Sequence, residues 1–315
     1  MDKASRIYVA GHRGLAGSAI CRRLRAQGFS NLIVRDRVQL DLRVQADVES
    51  FFATEHPEYV FVAAAKVGGV LANSSAPADF LRDNLAIELN VIDAAYRHGI
   101  EKLEFLGSSC IYPRLAPQPM REEYLLSGPL ETTNEWYAVA KIAGIKLVQA
   151  YRRQYGFNAI SLMPTNLYGP GDNFDLESSH VLAALLRKAH EARISHASEM
   201  VVWGSGTPRR EFLHVDDLAE AAVFLMQRYE SGEIINVGTG ADVTVREVAE
   251  LICKVTGFEG QLVFDPSKPD GTPRKLLNVT RIQALGWKPR IGLEEGIAQT
   301  YQWFLEQERK ALVTT

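Results

Sequence analysis

Ile7-Tyr8-Val9-Ala10 runs directly into Gly11-His12-Arg13-Gly14-Leu15-Ala16-Gly17 and then into Ser18-Ala19-Ile20-Cys21-Arg22-Arg23-Leu24. Four apolar residues, three glycines spaced three apart and an amphipathic run read as strand, tight turn and helix. Glycine here lets the backbone turn sharply and approach a pyrophosphate, whose charge the amides of a helix N-terminus then meet. A strand-to-helix turn also uses glycine for steric reasons alone, so context decides. The triplet follows the first strand, opens the first helix and lies about twenty residues before the end of the second strand, where a ribose partner belongs.

Outward from this stretch, the region from Arg6 to about Met163 alternates short apolar runs with longer helical ones, the pattern of a parallel sheet built from βαβ units. IYVA (7–10), LIVR (32–35), YVFVAAA (59–65), LEFLGS (103–108) and AISLM (159–163) are continuously apolar, as strands covered on both faces are. Helices are expected near 18–27, 44–54, 77–98 and 136–155. The fold class is therefore α/β, a doubly wound, Rossmann-like sheet. After Pro164 the texture changes to Gly/Pro-punctuated segments such as LYGPGDNF, VVWGSGTPRR and FDPSKPDGTPRK, which read as a smaller, mixed C-terminal lobe. A helix near 216–229 and a strand near 234–237 rejoin the first domain. The expected division is thus 1–165 with parts of about 212–240, against 166–211 and 241–315, and the final helix spans Leu293 to about Gln307 with a fraying end.

Composition narrows the function. The 315 residues are 46% hydrophobic and 23% charged, and 35 basic against 38 acidic side chains leave a net charge of −3. That is ordinary globular composition, without the basic footprint a nucleic-acid backbone requires. No apolar run is long enough to span a bilayer, so the expectation is a cytoplasmic protein with neither membrane nor nucleic acid as partner. Cys21, Cys110 and Cys253 are odd in number and far apart, which suggests neither a disulfide framework nor a zinc site. The seven histidines also lack ligand spacing, so no metal is expected.

At the end of the second strand stand Arg35, Asp36 and Arg37. An acid there favours a free ribose 2′-hydroxyl, whereas arginine favours a 2′-phosphate. Arg37 and Arg13 are two guanidinium groups able to converge on a 2′-phosphate, which favours NADP(H). Asp36 leaves NAD(H) open. Asp41 and Leu42 are expected to flank the adenine.

Tyr137 and Lys141 lie four apart on an expected helix and so share a face. A tyrosine hydroxyl, with an intrinsic pKa near ~10, acts as an acid at neutral pH when neighbouring positive charge stabilises its phenolate. Ser108 and Ser109 sit at the carboxyl end of the fourth strand, where a doubly wound sheet presents groups to ligands. Serine, tyrosine and lysine together form a donor set for a carbonyl oxygen.

The glycine loop, Ser108 and Tyr137-Ala138-Val139-Ala140-Lys141 resemble the extended short-chain dehydrogenase/reductase superfamily. AAAKVGGV, LGSSCIYP, YAVAKIAGIKL, MPTNLYGP, VVWGSGTPRREFLHVDD and KPDGTPRKLL extend the likeness, from about residue 6 to 280, to its bifunctional GDP-4-keto-6-deoxymannose 3,5-epimerase/4-reductase family. The resemblance implies a homodimeric NADP(H)-dependent enzyme with a GDP-sugar substrate. Cys110 and His180 match the family's acid/base pair for carbons 3 and 5. By residue type alone, Cys110 reads as a small buried hydrophobe and His180 as a structural or helix-capping residue. Lys188, Trp203, Arg210 and Asp270 match substrate-contacting positions, with two cations for a diphosphate, an aromatic face, and an acceptor for hydroxyls or a base edge. Lys141 is also expected at the nicotinamide ribose, and Pro164 to Leu167 over the nicotinamide. The rival readings on the same fold are another nucleotide-sugar 4-epimerase or 4-keto-reductase, with Cys110 and His180 as bystanders, and a non-catalytic NADP(H) sensor.

Overall fold

The computed structural model of the chain describes residues 1–176, 178–268 and 270–314. The chain runs β1 (Ile7–Ala10), α1 (Leu15–Ala26), β2 (Leu32–Ile33), α2 (Gln45–Glu55), β3 (Tyr59–Val62), α3 (Val70–Ser75), α4 (Pro77–Arg97), β4 (Lys102–Leu106), α5 (Glu135–Tyr155), β5 (Ala159–Pro164) and β6 (Asn166–Tyr168). It continues through α6 (Val181–Ile194), β7 (Glu199–Trp203), β8 (Arg209–Arg210), β9 (Phe212–His214), α7 (Val215–Arg228) and β10 (Ile235–Val237). The last elements are β11 (Val243–Thr244), α8 (Val245–Thr256), β12 (Gln261–Asp265), β13 (Arg274–Lys275), α9 (Thr280–Ala284) and α10 (Leu293–Thr314).

Six strands form one parallel sheet in the order β10-β5-β4-β3-β1-β2. Every residue of β1, β3, β4, β5 and β10 is buried. The continuous apolar runs thus reflect helices on both faces. α1 packs along α7, and α4 packs along both α2 and α5. The second strand is shorter than its apolar run: beyond Ile33 the chain leaves the edge, and the Arg35 guanidinium turns to Glu55. The final helix runs past Gln307 to Thr314, longer than its apolar pattern indicated.

The chain leaves β1 for β2 on one side and reaches β3 on the other, so the order reverses beside β1. At such a switch point two loops diverge and leave a crevice at the carboxyl ends of the strands. A second apolar core gathers α6, α8 and α10 through Leu186, Met200, Ile252, Ile297 and Phe304. Around it lie β7 paired with β12, the three-stranded β11-β8-β13, and β6 paired with β9. The β6–β9 pair directly follows β5 and directly precedes α7, and so ties the second core to the large sheet.

Candidate active site

Gly11 has φ +82°, and a Cβ there would lie 2.7 Å from the Ala64 backbone, where the loops after β1 and β3 meet. At Gly17 a Cβ would lie 2.2 Å from the Gly11 carbonyl oxygen. These two glycines are demanded by the turn itself. Gly14 is different, because its Cβ would meet only the Gly11 oxygen, at 3.4 Å. It is the N-cap of α1, supplies no side-chain cap, and is followed by no acid in the first turn. An uncapped helix end beside open space is suited to a phosphate.

The Asp36 carboxylate accepts from the Val38 and Gln39 amides, both at 3.0 Å, and its other oxygen holds Arg13 at 2.8 Å. The Gln39 amide first, then Arg13, keeps the carboxyl below its ordinary range against a modest desolvation. Asp36 thus closes its own turn and orients Arg13, while Arg13 and Arg37 both extend into solvent. Asp41 is gripped by Arg43 at 2.6 and 2.9 Å, which depresses its carboxyl to about 2. Its carboxylate is therefore committed within the protein. Leu42 is buried and its carbonyl accepts from Asn90, while Pro164 closes β5 and Leu167 lies in β6.

Ser108 follows β4 and caps a single 3₁₀ turn, Ser109–Ile111, by accepting from the Cys110 amide at 3.2 Å. Tyr137 and Lys141 project from the first two turns of α5. Burial above all, then Cys110 and Glu88, push the Tyr137 hydroxyl up, and a hydrogen bond from Ser108 acts against them. Lys141 stands beside both Tyr137 and a buried acid. Its ammonium is 3.2 Å from Glu88 in a pair with both side chains 2% exposed, and lies 5.9 Å from the centre of the Tyr137 ring. Gly144 makes room for that carboxylate, since a Cβ there would lie 2.7 Å from Glu88 Oε2.

The Cys110 sulfur accepts from Asn134 Nδ2 at 3.2 Å and from Lys275 Nζ at 3.6 Å. His180 holds the N-cap position of α6, yet its side chain makes no cap hydrogen bond. The capping explanation for this histidine fails. The residue is exposed, and desolvation by the atoms around the ring, then the Lys275 charge, hold the imidazole below its ordinary value.

In the second lobe Lys188 Nζ donates to the Val201 carbonyl at 3.3 Å and lies 5.0 Å from the Trp203 ring centre. Trp203 is 53% exposed, and Lys268 approaches its ring at 5.4 Å. Arg210 donates to the Asp270 carbonyl at 3.2 Å, and burial pulls its guanidinium down. Asp270 accepts from the Ser205 amide and hydroxyl at 2.7 and 2.8 Å, so its carboxylate fixes the turn after Trp203.

Glu88, Asn134, Lys268 and Lys275 were not legible as site residues. Only Glu88 left a signal, as an acid on the apolar face of α4 that also buries Phe80, Asn84 and Ile92. Among the described residues no group of three or more His, Cys, Asp or Glu is placed to hold a metal, and no helix is long and apolar enough to cross a membrane.

The pattern of the NAD dependent epimerase/dehydratase family matches residues 7–238. The chain is 61% identical to GDP-L-fucose synthase 1 of Arabidopsis thaliana, over 97% of this chain and 94% of that one. It is 56% identical to the GDP-L-fucose synthase of Escherichia coli K12, over 96% and 97%. A GDP-L-fucose synthetase from Naegleria fowleri bound to NADP superposes with a TM-score of 0.90 at 30% identity, over 98% and 96% of the two chains. With the glycine turn, the Ser108-Tyr137-Lys141 set and the Cys110 cluster in place, the chain belongs to the NAD dependent epimerase/dehydratase family, in the branch of these GDP-L-fucose synthases.

Proposed function

We propose that the chain converts GDP-4-keto-6-deoxy-D-mannose to GDP-L-fucose, epimerising C3 and C5 and then reducing C4 with NADPH. The observation that carries this reading is the Cys110 sulfur, held by Asn134 and Lys275 two residues from Ser108 and within electrostatic reach of Tyr137. A plain reductase has no use for that cluster.

The cofactor site fits the residues present. The open surface at Gly14 and the bare amides of α1 receive a pyrophosphate, and Arg13 and Arg37 a 2′-phosphate. NADPH, when bound, supplies hydride to the C4 carbonyl carbon. The protein's own residues handle the protons. C3 and C5 flank the 4-keto group, so loss of a proton from either is stabilised as an enolate. Inversion requires a base on one face and an acid on the other, the roles of Cys110 and His180. Ser108 and Tyr137 donate to the oxygen on which charge develops. Tyr137, kept protonated by burial, then gives its proton to the C4 oxygen during reduction. Lys141 reaches the nicotinamide ribose.

Lys188, Arg210 and Trp203 form the nucleotide end, where two cations meet the diphosphate and the exposed indole packs on the substrate. The reading divides the chain into 1–165 with parts of 212–240 for the cofactor, and 166–211 with 241–315 for the substrate. It includes a homodimer through α4 and α5, on which Leu85, Leu89, Trp136 and Val139 stay exposed, and a cytoplasmic location.

The deciding experiment omits NADPH. With NADP⁺ in deuterated water the protein should place deuterium at C3 and C5 of the keto sugar, Cys110→Ala or His180→Ala should suppress the labelling, and added NADPH should yield GDP-L-fucose from the unmodified enzyme. Reduction at C4 without labelling at C3 and C5 would leave a simple 4-keto-reductase in its place.

A further inference from the structure

Gly69 follows β3 of the large sheet, and its backbone, at φ −63° and ψ 179°, has a conformation open to any residue. Glycine is required there by a neighbour instead. A Cβ on Gly69 would lie 2.6 Å from the Ser179 carbonyl oxygen, and the Gly69 amide donates to the Ser178 carbonyl at 2.9 Å. Ser178 and Ser179 lead directly into His180 and α6, which belongs to the second core. Two backbones, one from each part of the molecule, are thus in contact immediately before the imidazole of the site.

Both sides of that contact are braced. After β3 the chain is held by two buried asparagines. Asn84 accepts from the Lys66 amide at 2.8 Å and donates to the Lys66 carbonyl at 3.0 Å, and Asn73 donates to the Gly68 and Gly69 carbonyls at 2.7 and 3.1 Å. Across the contact, the Asp175 carboxylate accepts from the Ser178 amide at 3.0 Å and hydroxyl at 2.8 Å, and the Asp175 carbonyl accepts from the Ser179 amide at 2.9 Å. Backbone groups satisfied in this way resist rearrangement. The imidazole has no such support: among the described residues none holds the His180 ring by a hydrogen bond. Its place is set by the backbone that carries it.

We propose that Gly69 and Asn73 are positioning residues for His180, the loop after β3 fixing the Ser178–Ser179 backbone through one hydrogen bond and one glycine-sized contact. This rests on the epimerase/reductase reading, in which His180 is one of the two acid/base groups serving C3 and C5, and deepens it by naming what holds that group in line. Asn73 acts at one remove, by fixing the two carbonyls that flank the Gly69 amide.

Gly69→Ala is the direct probe, because its backbone accepts alanine and the Ser179 carbonyl opposes the added methyl, so that relief of the contact moves the carbonyl by about 1 Å. A displacement of that size costs up to about 10²-fold in a reaction that depends on alignment. With NADP⁺ in deuterated water, Gly69→Ala and Asn73→Ala should lower the kcat for C3/C5 labelling at least ~10-fold, with a smaller change in the keto-sugar KM. Reduction of a 4-keto sugar already inverted at C3 and C5, which does not use His180, should fall less than about 3-fold in the same proteins. Hydrogen exchange read by mass spectrometry without substrate should be at least ~3-fold faster over 178–184 in both variants, with β1 and β3 unchanged. Equal losses of labelling and reduction in variants with native melting profiles overturn the proposal and make the loop a cofactor contact. Unchanged labelling, or unchanged exchange over 178–184, overturns it as well. If the unmodified enzyme labels neither carbon, the epimerase reading fails, and the exchange over 178–184 still decides whether Gly69 and Asn73 hold that backbone.

Discussion

Glu104 stands in the middle of β4, fully buried, and neither carboxylate oxygen has a hydrogen-bond partner. Lys102, two residues earlier on the strand, is engaged by the Tyr229 carbonyl at 2.7 Å and Glu230 at 2.8 Å. Burial raises the Glu104 carboxyl well above its ordinary value of 4.5, against a weaker pull from Lys102. A group whose folded-state value is raised contributes all its stability below the unfolded value and loses it as pH climbs toward the folded one. Here the loss begins near pH 4.5 and deepens by about 1.4 kcal/mol per pH unit. The unpartnered neutral carboxyl carries a further cost of about 1–3 kcal/mol. Glu104→Leu replaces the carboxyl with an apolar side chain that forks in two, as the carboxyl does, one bond nearer the backbone, and removes both costs. It should stabilise the fold by roughly 1–3 kcal/mol at about pH 4.5, with the advantage growing as pH rises above that value. Urea unfolding at about pH 5 and pH 7 measures the difference, as an upward shift in midpoint at constant slope. A Leu variant whose advantage is flat or shrinks between those pH values would refute the assignment of Glu104 as a buried, unpaired acid.

Gly14→Ala should fold normally, because its Cβ meets only one oxygen at ordinary contact, yet bind NADPH at least ~10-fold more weakly by closing the space above the α1 amides; fluorescence titration measures both cofactor forms, and unchanged affinity would show that no phosphate sits there. Arg37→Ala should weaken NADPH far more than NADH, and equal losses would remove it from the 2′-phosphate. Tyr137→Phe should lower C4 reduction at least ~10²-fold with little change in cofactor affinity, whereas near-normal turnover would leave the ring a packing role.

The large sheet was legible because strands covered on both faces announce themselves as unbroken apolar runs, and because Gly11 and Gly17 are imposed by the turn they make. The edge strand was overextended because Val34 and Arg35 continue the apolar pattern only as far as the aliphatic part of an arginine that turns to Glu55. Within the site, what lies one helical turn apart could be read, as with Tyr137 and Lys141. Contacts made by folding could not. Asn134 and Lys275 reach one sulfur from 24 and 165 residues away, and no periodicity records that. Asp36 shows a different limit: its residue type points to a ribose hydroxyl, but two backbone amides and Arg13 already occupy its oxygens. The acid that cast doubt on NADP(H) is the acid that orients Arg13.

The Lys141–Glu88 pair changes what is expected of the proton donor. A lysine free to act on Tyr137 would draw the phenol toward neutrality and leave much of it ionised in mildly alkaline solution. Here the lysine charge is matched by a carboxylate 3.2 Å away, and the tyrosine is raised, first by burial and then by Cys110 and Glu88. Reduction needs the protonated phenol, so the arrangement keeps the donor loaded until the C4 oxygen takes on charge and makes transfer favourable. In the kcat/KM for a 4-keto sugar already inverted at C3 and C5, which bypasses Cys110 and His180, Tyr137 should produce no alkaline fall below about pH 9–10. Glu88→Gln retains the side-chain shape in the space left by Gly144 but releases the lysine charge toward the phenol, so an alkaline fall should move toward or enter that range. If the unmodified enzyme loses reduction with a midpoint near neutrality, and Tyr137 ionisation by difference absorbance follows the same curve, then Lys141 governs the phenol despite Glu88 and the buried pair is only structural.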